Sequence, residues 1–284
     1  MTTQTKASGS KYMDIGAMSY AERQLIVVLP DGVVAAQRKE KDGTSMPFDW
    51  SGLLKNAGKM VVGGYPGVLL MAGTAAYEAW ERAKKNGINV LQIKDVEAKN
   101  LTFAPTHPRR SVLYVGHPSD PKVYYTVASF HRMAFEHKFA EALNLLMNLG
   151  ATKIKVEHVR GWSSEFAASL STTLPNSAIS ASAGSNSRLN SALLFESSLP
   201  ENQSKSIPEN LVWYPHEAAW QSIAKGRLSH GLKDFSLTVN YDEDFGINTG
   251  LKINAVKAGL DIGGNFQSHE ETSWKIVGTF ASGT

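Results

Sequence analysis

The stretch Phe235-Ser236-Leu237-Thr238-Val239-Asn240-Tyr241 alternates apolar and polar residues without a break, and three later stretches repeat the pattern. They are Leu251-Lys252-Ile253-Asn254-Ala255, Leu260-Asp261-Ile262-Gly263-Gly264-Asn265-Phe266 and Trp274-Lys275-Ile276-Val277-Gly278-Thr279-Phe280. A period of two puts the large apolar side chains on one face of a strand and leaves the other face polar. Lys257-Ala258-Gly259, Asp242-Glu243-Asp244 and Ser268-His269-Glu270-Glu271 have the composition of hairpin loops between them. The four segments therefore predict an antiparallel meander. Its register is fixed, because a one-residue slip would turn the apolar set to water.

Working upstream, Phe135, Phe139, Ala142, Leu143, Leu146 and Leu149 recur at three- and four-residue spacing, which predicts a helix ended by Gly150. Residues 153–160 then switch to period two, with Ile154 and Val156 on one face. Residues 25–29, 89–93, 101–104, 112–115 and 123–127 read as strands, the first turning at Pro30-Asp31-Gly32 into a partner at 33–36. Residues 193–195 are another β-like run, and a short helix opens at Pro215 with Trp220, Ile223 and Ala224 on one face. Residues 163–206 are rich in serine, and within them 175–189 carry Arg188 as their sole charge.

The chain thus reads as α+β, with mixed N-terminal strands and helices followed by the C-terminal antiparallel meander. One large twisted sheet with helices packed on one face is the expected architecture. The expected organisation is a polar tail over 1–22, an α+β region over 23–162, and the Ser-rich loop plus meander over 163–284. A single continuous domain over 23–284 is the alternative.

Residues 60–77 contain no charge between Lys59 and Glu78, a length that raises the question of a membrane span. Gly63, Gly64, Pro66, Gly67 and Gly73 argue for a different reading, a close-packed helix that starts at Pro66 and stops near Gly87. Its apolar residues Val68 and Leu69 are candidates for contact with a bilayer or a second chain. The N-terminal residues lack a basic segment followed by an apolar core, so no secretory signal is read and the cytoplasm is the expected compartment, with peripheral membrane attachment as a variant.

Composition excludes several chemistries. There is no cysteine, hence no disulfide, thiol nucleophile or Cys-ligated metal. With 29 basic and 26 acidic residues the formal charge is +3, too small to imply nucleic acid, and Arg109-Arg110 and Lys84-Lys85 are isolated pairs. No phosphate-binding loop, His-Glu-x-x-His, Gly-x-Ser-x-Gly or dinucleotide fingerprint is present. His131 and His137 are six apart on the predicted helix and point to opposite sides, so they cannot chelate one metal. His158 alternates with Ile154 and Val156 and is read as hydrogen-bonded through one ring nitrogen, while His107, before Pro108, is assigned to a loop. No cofactor or metal is expected.

The best enzymatic candidate is Gly116-His117-Pro118-Ser119-Asp120, where a histidine and a carboxylate three apart could act as base and orienter. Ser119 or Tyr114 would lie nearby, and His131 or Glu136 would come from the following helix. The simpler reading has Asp120 closing an Asx-turn and His117 capping the strand. The function favoured by the sequence is association without catalysis: a homo-oligomer, with a lipid membrane or a protein as further partner, able in a pore-like form to use amphipathic hairpins. Its expected contact residues are Val68, Leu69, Leu251, Ile253, Leu260 and Ile262. The alternatives are a small hydrolase centred on His117 and Asp120, and a soluble protein-interaction module.

Overall fold

The computed structural model describes residues 13–29, 78–79, 81–85, 87–162, 192–200 and 205–281. The chain divides into two compact units, Met1–Phe130 with Gly246–Gln267, and His131–Phe245 with Ser268–Thr284. The class is α+β. The strands fall into two separate sheets in place of the single sheet expected from the sequence.

In the first unit, α1 (Tyr20–Arg23) leads into β1 (Leu25–Leu29), β2 (Leu91–Lys94) leads into α2 (Asp95–Ala98), and β3 (Leu113–Gly116) and β4 (Tyr124–Thr126) follow. The order is β2-β1-β3-β4, with β1 parallel to β2 and the other pairs antiparallel. Every residue of the Leu-Ile-Val-Val-Leu run is buried, as befits an inner strand covered on both faces. Ile26, Val28, Ile93, Val112, Tyr114 and Tyr124 pack into one core cluster. The expected partner at 33–36 lies outside the described residues, and residues 101–104 contribute one bridge, Thr102 to Val123.

The second unit takes all but the first residue of α3 (Phe130–Asn148), then β5 (Ala151–Arg160), β6 (Ala192–Ser198), α4 (Ala218–His230), β7 (Asp234–Tyr241) and β8 (Thr272–Phe280). Its sheet runs β6-β5-β8-β7, antiparallel throughout. Phe235, Leu237, Val239 and Tyr241 are buried and the residues between them exposed, so the predicted alternation holds on β7. These side chains join Phe135, Phe139, Leu146, Ile154, Val156, Trp220, Trp274 and Ile276 in the largest core cluster. Gly150, at φ +85°, turns the chain from α3 into β5.

Two buried ions fasten loops to this core. Glu141 on α3 accepts the backbone N–H groups of Val212 (2.8 Å), Trp213 (2.8 Å) and Tyr214 (2.7 Å). Arg227 on α4 donates to the carbonyls of Leu149 (3.1 Å), Leu232 (2.9 Å) and Ala281 (2.8 Å), with its guanidinium 4.8 Å from the Phe280 ring. Buried charge is tolerated where each polar atom finds a partner.

The middle of the expected meander is corrected. Residues 249–258 form a helix, α5 (Thr249–Ala258). Its caps explain why: the Asn248 side chain accepts from the N–H of Gly250 (3.0 Å) and Leu251 (3.2 Å), and Gly259 ends it at φ +84°. Ala255 and Ala258 face the core, whereas Ile253 is 45% exposed. Residues 260–266 are irregular because Gly263 and Gly264 take positive φ. Asp261 nevertheless bonds Ser111 and Leu113, and Ile262 bonds Ala128, through the backbone. Only the outer two of the four segments are strands, and they pair directly with each other.

Candidate functional site

His117 follows β3 and is wholly buried. Its Nδ1 accepts the backbone N–H groups of Ser119 (3.1 Å) and Asp120 (2.9 Å), while its carbonyl accepts Arg23 Nη1 (3.0 Å). A neutral ring that accepts at Nδ1 carries its proton on Nε2. Asp120 turns away to accept the Lys122 N–H at 2.9 Å. A catalytic base with its orienter needs the imidazole to donate Nδ1–H to the carboxylate. Here Nδ1 is an acceptor and the carboxylate closes an Asx-turn, so the two groups do not form that pair.

His131 is buried at the start of α3, with Nδ1 3.0 Å from the Tyr241 hydroxyl. The His269 ring lies edge-on to it at 5.1 Å between centroids, and Trp162 stacks on Tyr241 at 6.1 Å. The His269 Nε2 atom is buried without a hydrogen-bond partner among the described residues. Glu136 instead pairs with Arg132 at 2.9 Å. His137 accepts the Trp213 indole N–H at 3.1 Å, and His158 bonds the Gly161 carbonyl at 2.8 Å, so each serves the structure through one ring nitrogen. Among the described residues no group of three or more His, Asp or Glu side chains converges on a metal position.

A third cluster was not singled out from the sequence. Tyr114 is buried on β3 with its hydroxyl 2.6 Å from His107 Nδ1, and it accepts the Arg109 backbone N–H, also at 2.6 Å. Arg109 Nη2 donates to Thr106 Oγ1 at 3.2 Å, and Arg110 pairs with Asp95 at 2.7 Å. Thr106 and Ser111, neither of them glycine, take φ of +69° and +64°. Left-handed backbone at such residues costs free energy and recurs at functional loops. Partial burial, then the Arg109 charge, hold the His107 imidazole below the usual histidine range, while Asp261 pulls the other way. Burial raises the Tyr114 phenol. Nothing periodic marks a loop of this kind, and the pairing of His107 with a tyrosine seven residues on becomes visible only when β3 places Tyr114 beneath it.

The expected association residues separate. Leu260 and Ile262 are 3% and 8% exposed, held in by the backbone pairing of their segment. Leu251 is half-buried and Ile253 exposed on α5. Val68 and Leu69, with the rest of residues 60–77, lie outside the described residues. Among the described residues no helix is long and apolar enough to cross a membrane. The four-stranded sheet contributes a feature the sequence reading did not name. Its edge strand β6 has no neighbour on its outer side among the described strands. Leu193 on β6 and Val159 at the end of β5 are 46% and 56% exposed at the same end of the β5–β6 pair. The one charge in β6, Glu196, is drawn to Lys153 (3.0 Å) and Lys155 (3.5 Å) on β5. At the opposite edge, the Lys138 ammonium takes the Asn240 carbonyl of β7 at 2.8 Å.

No family model matches the chain, and neither a curated protein nor a solved structure does.

Proposed function

We propose that the chain acts by association without catalysis, with copies pairing β6 to β6 so that two four-stranded sheets become one. The observation that carries this is that β6 has no outer neighbour among the described strands, with Leu193 and Val159 exposed beside it. An unpaired strand edge is a template for a second chain, and soluble proteins usually guard it with an outward charge or a proline. In β6 the single charge is engaged by lysines of its own sheet and there is no proline. The β7 edge is partly covered by the Lys138 ammonium, which favours β6 as the docking side. A strand that pairs antiparallel with its own copy gives a closed two-fold dimer, the commonest oligomer symmetry. Covering Leu193 and Val159 would contribute roughly 1 kcal/mol each per subunit, since about half of each is already buried.

Light scattering and sedimentation over a wide concentration range, with and without liposomes, provide the test. Wild type is expected to dimerise, and Leu193→Lys to shift the equilibrium toward monomer while keeping its far-UV dichroism. A wild-type chain that stays monomeric at every concentration, with and without lipid, refutes the proposal.

A further inference from the structure

The loop that carries His107 does something the sheet edge does not need. Its imidazole is anchored on one nitrogen by the Tyr114 hydroxyl at 2.6 Å. That hydroxyl has a second possible acceptor, the Arg109 carbonyl, at 3.4 Å. An O–H donates to the nearer, better acceptor, so the proton goes to His107 Nδ1, and the neutral ring then carries its own hydrogen on Nε2. The tautomer is assigned from these hydrogen-bond lengths. The Nε2–H group has no partner among the described residues.

Arg109 is held to the same loop twice, by its backbone N–H on Tyr114 and by Nη2 on Thr106 Oγ1. Its side chain is exposed and makes no ion pair among the described residues, whereas neighbouring Arg110 is committed to Asp95; the Asp261 carboxylate also acts on His107 and is the negative charge an anion would meet there. Both residues are fastened to the one Tyr114 hydroxyl, and the guanidinium reaches Thr106, the residue before His107, so the two groups belong to one short loop. The left-handed backbone at Thr106 and Ser111 fixes both ends of the loop. The result is a pre-set imidazole N–H beside a guanidinium fork with donors to spare. Guanidinium forks suit tetrahedral oxyanions, which can meet two N–H groups on one side and a third donor on another.

We propose that His107 and Arg109 form a binding site for a phosphate oxyanion. The phosphate could be free in solution or part of a lipid headgroup, and the two sources are separable. The experiment follows the His107 ring signals by NMR on full-length protein. Inorganic phosphate is titrated against chloride at matched ionic strength, and in a second arm phosphatidylcholine vesicles are added with or without phosphatidic acid. Saturable shifts with inorganic phosphate support the site with a soluble ligand, and shifts seen only with phosphatidic acid vesicles support it with a lipid one. Arg109→Gln, at an exposed position, should weaken binding about 10- to 100-fold, the loss of a charge-assisted hydrogen bond. Arg110→Gln should leave it unchanged. No saturation in either arm, an equal response to chloride, or equal weakening by Arg110→Gln overturns the proposal.

Discussion

Replacing Gly278 by alanine tests the packing of the second sheet at its tightest point. Gly278 lies on β8 between Ile154 of β5 and Phe235 of β7. A Cβ there would sit 1.9 Å from the Lys153 carbonyl oxygen and 2.6 Å from Phe235 Cζ. Reaching ordinary contact requires β5 and β8 to part by more than about 1 Å, which takes the flanking N–H···O bonds beyond their useful range. Overpacking alone costs about 1–3 kcal/mol, and two weakened ladder bonds add about 1 kcal/mol each. Gly278→Ala should therefore destabilise this unit by about 3–5 kcal/mol. Urea unfolding followed by tryptophan emission reads it out, since Trp162, Trp213, Trp220 and Trp274 all belong to this unit. The same change at Gly226, within α4, is an internal control. The nearest atom to the added methyl there is Leu232 Cδ2 at 3.4 Å, and alanine in a helix interior gains about 0.5–1 kcal/mol over glycine. Identical chemistry should thus produce opposite signs at two positions. A Gly278→Ala protein within about 0.5 kcal/mol of wild type would refute the register on which the reasoning rests.

Removing the carboxylate of Glu141 by Glu141→Ala strands three backbone N–H groups at residues 212–214 and should cost about 3 kcal/mol or more in denaturant unfolding, with Glu141→Gln intermediate. Arg227→Met keeps much of the buried stem but leaves the Leu149, Leu232 and Ala281 carbonyls without their donor, and a loss of about 2–4 kcal/mol is expected by the same measurement. The Tyr124 phenol, raised by burial from 10.0 to about 12, stays protonated in the fold after the unfolded chain has ionised. Its contribution is therefore complete below pH 10 and is lost as pH climbs to 12, by about 1.4 kcal/mol per pH unit. Stability measured across that window should lose this slope in Tyr124→Phe. His107, with its folded value lowered, favours the folded state at neutral pH and loses that contribution as the solution is acidified below the ordinary histidine value. An NMR titration of its ring should find the midpoint on the acid side.

The helix α3 and the strands β5, β7 and β8 were legible because each rests on long-range repetition of one period. Residues 251–256 carried two periods at once. Leu251, Ile253 and Ala255 satisfy a strand, while Leu251, Ala255 and Ala258 satisfy a helix, and a six-residue window cannot separate them. The deciding information lay outside the window, in Asn248 as N-cap and Gly259 as terminator, ten helical residues apart. The split into two sheets was hidden for a different reason: no local pattern states which strand neighbours which. The candidate sites divide in the same way. The Asx-turn at Asp120 is chemistry between near neighbours and could be read from the Asp-Pro pair. The His107–Tyr114 and His131–Tyr241 contacts depend on where a strand carries a tyrosine relative to a distant imidazole.

The way the chain visits its two units bears on how it is made. The first unit is completed by residues 246–267, whose Asp261 bonds Ser111 and Leu113. The second is completed by β8, an inner strand between β5 and β7. A ribosome releases both segments after everything they must join, so each unit waits, partly assembled, for its closing piece. Until then β5 and β7 have nothing between them, and a nascent chain halted before residue 246 would hold two unfinished cores where a sequential arrangement would hold one finished domain.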